Sequence, residues 1–443
     1  MRQQECQAQM LSKLGLASIE DLFDDVPKDV RTKGLHLPDG VDEIRLSRGL
    51  QELLRPNRPA SDWLSFLGAG VYYHHIPAAV KTIISRSEFS TSYTPYQSEI
   101  SQGMLQALFE YQSFMVELTG MDIVNSSMYD SSTALGEAVL MSHRMSGGSI
   151  FLSSRAVSPE KLSVAQLYAK GADVTVDTVD YDRESGLIDI NDLESKVTDD
   201  VTGFYFETPN LFGVLESEWK TVREILGDKA VVIGVNPLAL AVMMPPGEMG
   251  ADIVVGDAQP LGVSMSLGGP SIGLFGCRAE HLRKMPGRIV GMTEDVERTR
   301  SFCMTLQTRE QHIRRSRATS NICTNEALLA VAVAAHMGLL GRTGLRKTAL
   351  ENLTNMKELA AGIDSLDAFS APVFDSPHFN EFVIRSPVGI DRLNEHLMTK
   401  KIHGVLAIDR WFPELKDCAL VTTTEMHTPE DHRRLIDAMG AIR

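Results

Sequence analysis

Between Lys229 and Lys284 the chain has no lysine, and nowhere does it carry a CxxC pair, a bilayer-length apolar run or an excess of positive charge. Each absence excludes something. The five cysteines among 443 residues, Cys6, Cys277, Cys303, Cys323 and Cys418, are scattered and odd in number. They give no disulfide framework and no metal-ligand spacing, so reduced thiols, no metal and a cytoplasmic location are expected. The longest apolar run, residues 327–340, falls short of the ~20 residues that span a bilayer and contains His336, so it is expected to be a buried core helix. The N-terminal MRQQECQAQMLSKLGLA has no apolar stretch ahead of a small-residue cleavage site, which argues against a secretory signal. A formal net charge of −15 is the wrong sign for a nucleic-acid footprint.

What is present suits a large globular core. Hydrophobic residues make up 43% of the chain and charged residues 23%. At about 150 residues per domain, the length suggests two or three domains. No repeat of solenoid period and no low-complexity linker is found. From residue 149 onward, short runs that are apolar throughout alternate with helical segments: SIFLS, DVTVDTV, TGFYFET, AVVIGVN, ADIVVGDA and SIGLFGC. Such strands read as a mostly parallel sheet covered on both faces, an α/β architecture. Met104, Leu108, Tyr111, Met115 and Leu118 recur at alternating spacings of four and three, one face of a helix ending near Gly120. Thr94-Pro95-Tyr96-Gln97 has the form of that helix's start, with Thr94 as N-cap. A further helix is expected to open at Asp130, and a long one at Thr324. FNEFVIR, a helix near 392–400, ALVTTTE and a final helix from Thr428 predict a smaller α+β unit. The expected divisions are residues 1–60, an N-terminal helical segment, 61–330, the large domain, and 331–443, the small one.

Two stretches are too long and specific to arise by chance: TPYQSEISQGMLQALFEYQ (94–112) and LQTREQHIRRSRATSNICT (306–324). Both closely resemble the pyridoxal-phosphate glycine decarboxylases of the glycine cleavage system, the P-proteins. The resemblance runs from about Gly49 to the C-terminus and implies an aspartate-aminotransferase-like, pyridoxal-phosphate-transferase large domain. In the catalytic members a His-Lys pair precedes a glycine-rich turn. Here the matching place, ahead of Ser266, reads Gln259-Pro260, and the strand end that should offer an Asp to the pyridinium nitrogen reads Val235-Asn236. A pyridoxal enzyme needs an amine to hold its aldehyde and a carboxylate to keep the ring nitrogen protonated. The resemblance therefore implies a half of a split P-protein, with pyridoxal 5'-phosphate on a homologous partner subunit and none held covalently by this chain. The implied activity decarboxylates glycine and passes its aminomethyl group to the lipoyl group of the H-protein. The implied assembly is a hetero-oligomer such as an α2β2 tetramer, inactive as this chain alone, without membrane or nucleic-acid partners. Two alternatives stay open: a non-catalytic structural or regulatory subunit, and a self-sufficient enzyme whose lysine lies elsewhere, with Lys229 and Lys284 nearest.

Candidate site residues follow from type and position. Asp130-Ser131-Ser132-Thr133 puts hydroxyls and free N–H groups at a helix N-terminus, suited to a phosphate or simply to capping. In the basic run Arg309, His312, Arg314, Arg315 and Arg317, the turn Arg317-Ala318-Thr319-Ser320 resembles the Arg-x-Gly-Thr turn by which related dimeric enzymes reach their partner's cofactor phosphate. Arg317, Thr319 and Ser320 are thus expected to bind the partner's phosphate in trans. Tyr96 and Glu99, with Tyr93 and Gln97, can position a small zwitterion or brace an interface. His74 and His75, the only paired histidines, are candidates for proton transfer. The helices beyond Tyr96 and Thr324 hold more Met, Leu, Phe and Ala than an exposed surface tolerates, so an extensive apolar interface is expected.

Overall fold

The computed structural model describes residues 2–32, 34–59, 62–307 and 310–442, so Arg309 of the basic run lies outside the described residues. The chain divides into two compact units, residues 1–59 and 60–443. The first holds the helices Arg2–Leu14 and Glu43–Leu54 and the 3-10 turn Ile19–Phe23. Its segments are capped locally: Asp42 accepts from Arg45 N at 2.9 Å, and Asp21 accepts from Ser18 N at 2.8 Å. Neither the turn nor the helix Glu43–Leu54 buries a residue, and Leu35, Leu37, Leu53 and Leu54 are exposed.

The second unit is built on a seven-stranded sheet. Its strands are β1 (Ile123–Val124), β2 (Ile150–Ser154), β3 (Thr175–Val179), β4 (Val201–Thr208), β5 (Ala230–Val235), β6 (Ile253–Asp257) and β7 (Gly273–Cys277), in the order β1-β7-β6-β5-β4-β2-β3. Neighbours are parallel except β7, which runs antiparallel to β1 and β6. Both faces are buried, as the apolar runs predict, except along the edge strand β3, where Thr175 and Asp177 are exposed. Along β4, Phe204 and Phe206 join the core on one face while Tyr205 joins the core on the other, the two-residue alternation of a strand. The first core packs against the helices Gln102–Thr119 and Ala327–Asp364, the second against Ser131–Ser146 and Pro159–Lys170.

Thr94 does not cap a helix. The helix begins at Gln102 and ends at Gly120 in left-handed conformation. The Thr94 hydroxyl instead accepts a hydrogen bond from Arg288 Nη1 at 3.2 Å. A buried guanidinium thus takes the group that the helix start would have used. The apolar side of this helix is not left for an interface either. Met104, Leu105, Leu108, Tyr111 and Met115 are buried in the chain's own core with Ala330, Val331 and Val333 of the long helix. That long helix starts at Ala327 rather than Thr324, runs to Asp364 across the expected boundary at 330, and is broken at Gly341 (φ 59°, ψ −177°). By length and composition alone it would be able to cross a membrane.

The C-terminal part carries an antiparallel sheet of Glu381–Arg385, Cys418–Thr422 and Leu406–Ala407, covered by the helices Ile390–Thr399 and Pro429–Gly440. Thr428 caps the last of these and Asp431 returns the bond, as the Thr-Pro-Glu-Asp order leads one to expect. Leu64–Ser65 pairs in parallel with Ile402–His403, which carries the following loop, residues 68–75, back across the strand ends of the large sheet.

Candidate functional site

In open α/β sheets, ligands sit beyond the carboxyl ends of the strands. Here those ends deliver Glu207 from β4, Asn236 just after β5 and Asp257 from β6 into one cavity of about 70 Å³. Ser131 enters at the N-terminus of its helix, Lys161 from the helix following β2, and Glu381 from the C-terminal sheet. Ala69, Gly70 and Tyr72 form part of the wall. A space of this size holds a handful of waters.

Charge fills the site. Lys161 Nζ donates to Glu207 Oε1 at 2.7 Å, and the same oxygen accepts from Tyr205 Oη at 2.6 Å. Burial works against the Lys161 ammonium, but the Glu207 carboxylate, aided by Asp257 and Glu381, outweighs it and holds the pKa above the usual lysine value. Asp257 accepts from Ser271 Oγ at 2.6 Å, Gln259 N at 2.9 Å and Ser131 N at 3.4 Å. Burial nevertheless raises its pKa. Glu381 accepts from Ala69 N, Gly70 N and Thr422 Oγ1, yet burial pushes its pKa up to about 7.

The residues do not fit pyridoxal phosphate. Gln259 turns away from the cavity, donating from Nε2 to Val263 O, while Pro260 lines the wall. Both ends of the Asn236 amide are engaged, donating to Tyr72 Oη and accepting from Leu238 N. At the Ser131 helix the first N–H meets Asp257, and Thr133 N donates to Asp130 Oδ1 at 2.7 Å, so carboxylates of this chain occupy the anion-binding end. Lys229 donates to Asp199 O and Val201 O, where β4 begins, at the opposite end of the sheet. Neither Lys229 nor Lys284 lines the cavity. Lys161 does, but as a buried ammonium paired with Glu207 it has no free lone pair for an aldehyde.

The other candidates fall into separate networks. His74 is buried; its Nδ1 lies 3.0 Å from Glu425 Oε2 while its Nε2 has no partner. Burial disfavours the Glu425 charge, but the His74 contact and the His75 N–H outweigh it and bring the pKa down to about 2. The His75 side chain is exposed. Tyr96 and the stretch 306–324 meet at Arg288. This 5% exposed guanidinium donates to Thr94 Oγ1, to Tyr96 Oη at 2.9 Å and to the Cys323 carbonyl, and its Nε lies 3.8 Å from Glu310. Tyr93 Oη lies 3.0 Å from Thr324 Oγ1. The two diagnostic stretches are therefore neighbours in space. Glu99 is exposed on a 3-10 turn and takes no part in this network. Arg317 is exposed. Thr319 lines a cleft of about 620 Å³ with Glu137, Arg144 and Tyr168. The Ser320 hydroxyl donates to Glu137 Oε1 at 2.6 Å within the chain.

Reading the sequence alone singles out none of Lys161, Glu207, Asp257, Glu381 or Arg288. One signal was there for three of them: Glu207, Asp257 and Glu381 are acidic residues in or at the ends of largely apolar strands, and charge is rarely buried without a partner. Among the described residues, no three His, Cys, Asp or Glu side chains gather as a metal site.

Comparison with known proteins follows the same lines. A family model described as glycine cleavage system P-protein matches residues 1–439. A protein of Pyrococcus horikoshii named probable glycine dehydrogenase (decarboxylating) subunit 1 is 45% identical, covering 98% of this chain and 97% of its own. A relative of the same name from Geobacillus kaustophilus is 44% identical over 99% and 97%. Among solved structures, the inhibitor-bound glycine decarboxylase (P-protein) of the glycine cleavage system matches with a TM-score of 0.90 and 38% identity, over 98% of this chain and 97% of that one. A sphingosine-1-phosphate lyase of Burkholderia pseudomallei, with a TM-score of 0.66 and 14% identity over 94% of each chain, shares the fold alone. The architecture is that of the pyridoxal-phosphate transferases, a mostly parallel large sheet with a smaller α+β part after it, as expected.

Proposed function

The chain belongs to the glycine cleavage system P-protein family, and from that membership we propose that it is the half of a two-chain glycine dehydrogenase that holds no cofactor itself. Its relatives bear the name subunit 1, so the enzyme also has a partner subunit. In this reading the partner carries the pyridoxal phosphate, and the assembled cytoplasmic enzyme, an α2β2 tetramer, decarboxylates glycine and delivers the aminomethyl group to the lipoyl arm of the H-protein. This chain supplies one wall of the site and part of the channel for that arm. The observation that carries the reading is the strand-end cavity, whose one lysine is buried in an ion pair with Glu207.

Within the assembly, Arg317 and Thr319 extend toward the partner's cofactor phosphate, where a planar guanidinium suits the oxygens. Tyr96, held from below by Arg288, faces the same seam. Mixing the two subunits should give an activity that neither has alone. Borohydride reduction and peptide mapping should recover phosphopyridoxyl-lysine from the partner only. Stoichiometric label on Lys161, Lys229 or Lys284 of this chain would refute the reading.

The intrachain bond from Ser320 to Glu137 favours the second reading, a structural subunit that touches no part of the active site. Thr319→Val separates the two. If Thr319 reaches the partner's phosphate, losing a hydrogen bond to a charged group lowers cofactor affinity about ten- to a hundredfold in the assembled enzyme, with far less effect on the isolated chain. If it only braces its own turn, the isolated chain loses about 1 kcal/mol and cofactor affinity is unchanged.

A further inference from the structure

We infer that the ligand position of this fold is filled from within: the Asp257 carboxylate stands where an anion would bind the Ser131 helix, and the Lys161–Glu207 pair takes up the crevice beside it. The inference rests on the reading that this chain holds no cofactor, and it says what does the holding instead. A helix N-terminus offers N–H groups and a partial positive charge to any anion. In this chain Ser131 N donates to Asp257, whose other oxygen is fixed by Ser271 Oγ and Gln259 N. The strand-end loops are therefore tied together by a side chain rather than by a ligand.

The surrounding charge has the same consequence. Three carboxylates, Glu207, Asp257 and Glu381, face the cavity against one ammonium, Lys161. An entering phosphate ester would meet a like charge at the helix end and could not take Lys161 from Glu207 without leaving that carboxylate buried and unpaired. Beside the missing cofactor lysine, the wall thus carries more carboxylates than ammonium groups, and the chain folds around its own ions.

The test uses the full chain and inorganic phosphate as probe, read by thermal shift and by ³¹P line broadening. Wild type should show neither effect at millimolar phosphate. Asp257→Ser removes the occupying carboxylate and opens room beside the cavity, so it should gain phosphate binding at least tenfold above wild type, with a rise in Tm on adding phosphate. Asp257→Asn removes the charge at constant volume and decides the matter if the Ser variant does not fold. Phosphate gained by either folded variant supports the inference. Phosphate bound equally by wild type, or by neither variant, overturns it. Borohydride labelling reads a lysine and this experiment reads an anion site, so the two ideas can fail separately.

Discussion

Replacing Arg288 by Met should destabilise the chain by about 3–5 kcal/mol, the usual cost of removing one partner from a buried charged network. The guanidinium joins three chain segments at once: Thr94 and Tyr96 ahead of the Gln102 helix, Glu310 and the Cys323 carbonyl in the basic stretch, and its own strand Ile289–Glu294 at its edge. Met restores the stem's volume but leaves the Cys323 carbonyl without its donor and Glu310 without the neighbouring guanidinium charge. Arg288→Lys should recover little, because an ammonium cannot direct several donors along one plane. Tyr96 would also lose the cation that lies 5.3 Å from its ring. Urea denaturation of the isolated chain reads the stability, and glycine decarboxylation by the reconstituted enzyme reads the site. A loss below 1 kcal/mol with full activity would show that the two diagnostic stretches are held together by something else.

The same residue explains what could and could not be read in the sequence. The central strands of the large sheet were legible because they are buried on both faces and so are mostly apolar, as in TGFYFET and AVVIGVN. The helix Gln102–Thr119 was legible in its apolar spacing and its Gly120 stop, but not in its start. Thr-Pro-x-Gln has the composition of a cap, and only a guanidinium from a position 194 residues away takes the hydroxyl. Motif length likewise identified 94–112 as important without saying why. Two of its amides serve structure: Gln102 pairs both ways with the backbone of Phe302, and Gln112 with that of Val290, bracing the hairpin Ile289–Thr305. The missing lysine was visible as an absence. The charged groups around its place were not, since Lys161, Glu207, Asp257 and Glu381 come from four separate elements that only the folded sheet brings together.

Glu381→Gln should change how stability depends on pH, and the sign is fixed by burial. An unfolded glutamate titrates near 4.5, whereas burial raises Glu381 to about 7 in the fold. Below pH 4.5 both states hold the proton and the group contributes its full stability. Between 4.5 and 7 the unfolded chain releases the proton while the folded chain keeps it, so stability falls as pH rises, by about 3 kcal/mol in all, and then levels off. His336, His378 and His432, each brought down to about 4 by burial, act in the opposite sense, losing stability as pH falls from 6.5 toward 4. The wild-type curve alone therefore mixes both signs. The difference between wild type and Glu381→Gln isolates one group. Gln gives up an acceptor for Ala69 N, Gly70 N or Thr422 Oγ1 at every pH, a constant offset of about 1–3 kcal/mol. Above that offset, the wild-type advantage should shrink by about 3 kcal/mol from pH 4.5 to 7.5. An unchanged gap across that range would mean that Glu381 titrates as an exposed carboxyl. A narrowing gap would mean that near neutrality the Ala69–Gly70 wall closes on a carboxyl still sharing its proton, so that Glu381 sets less than a full charge against an entering anion.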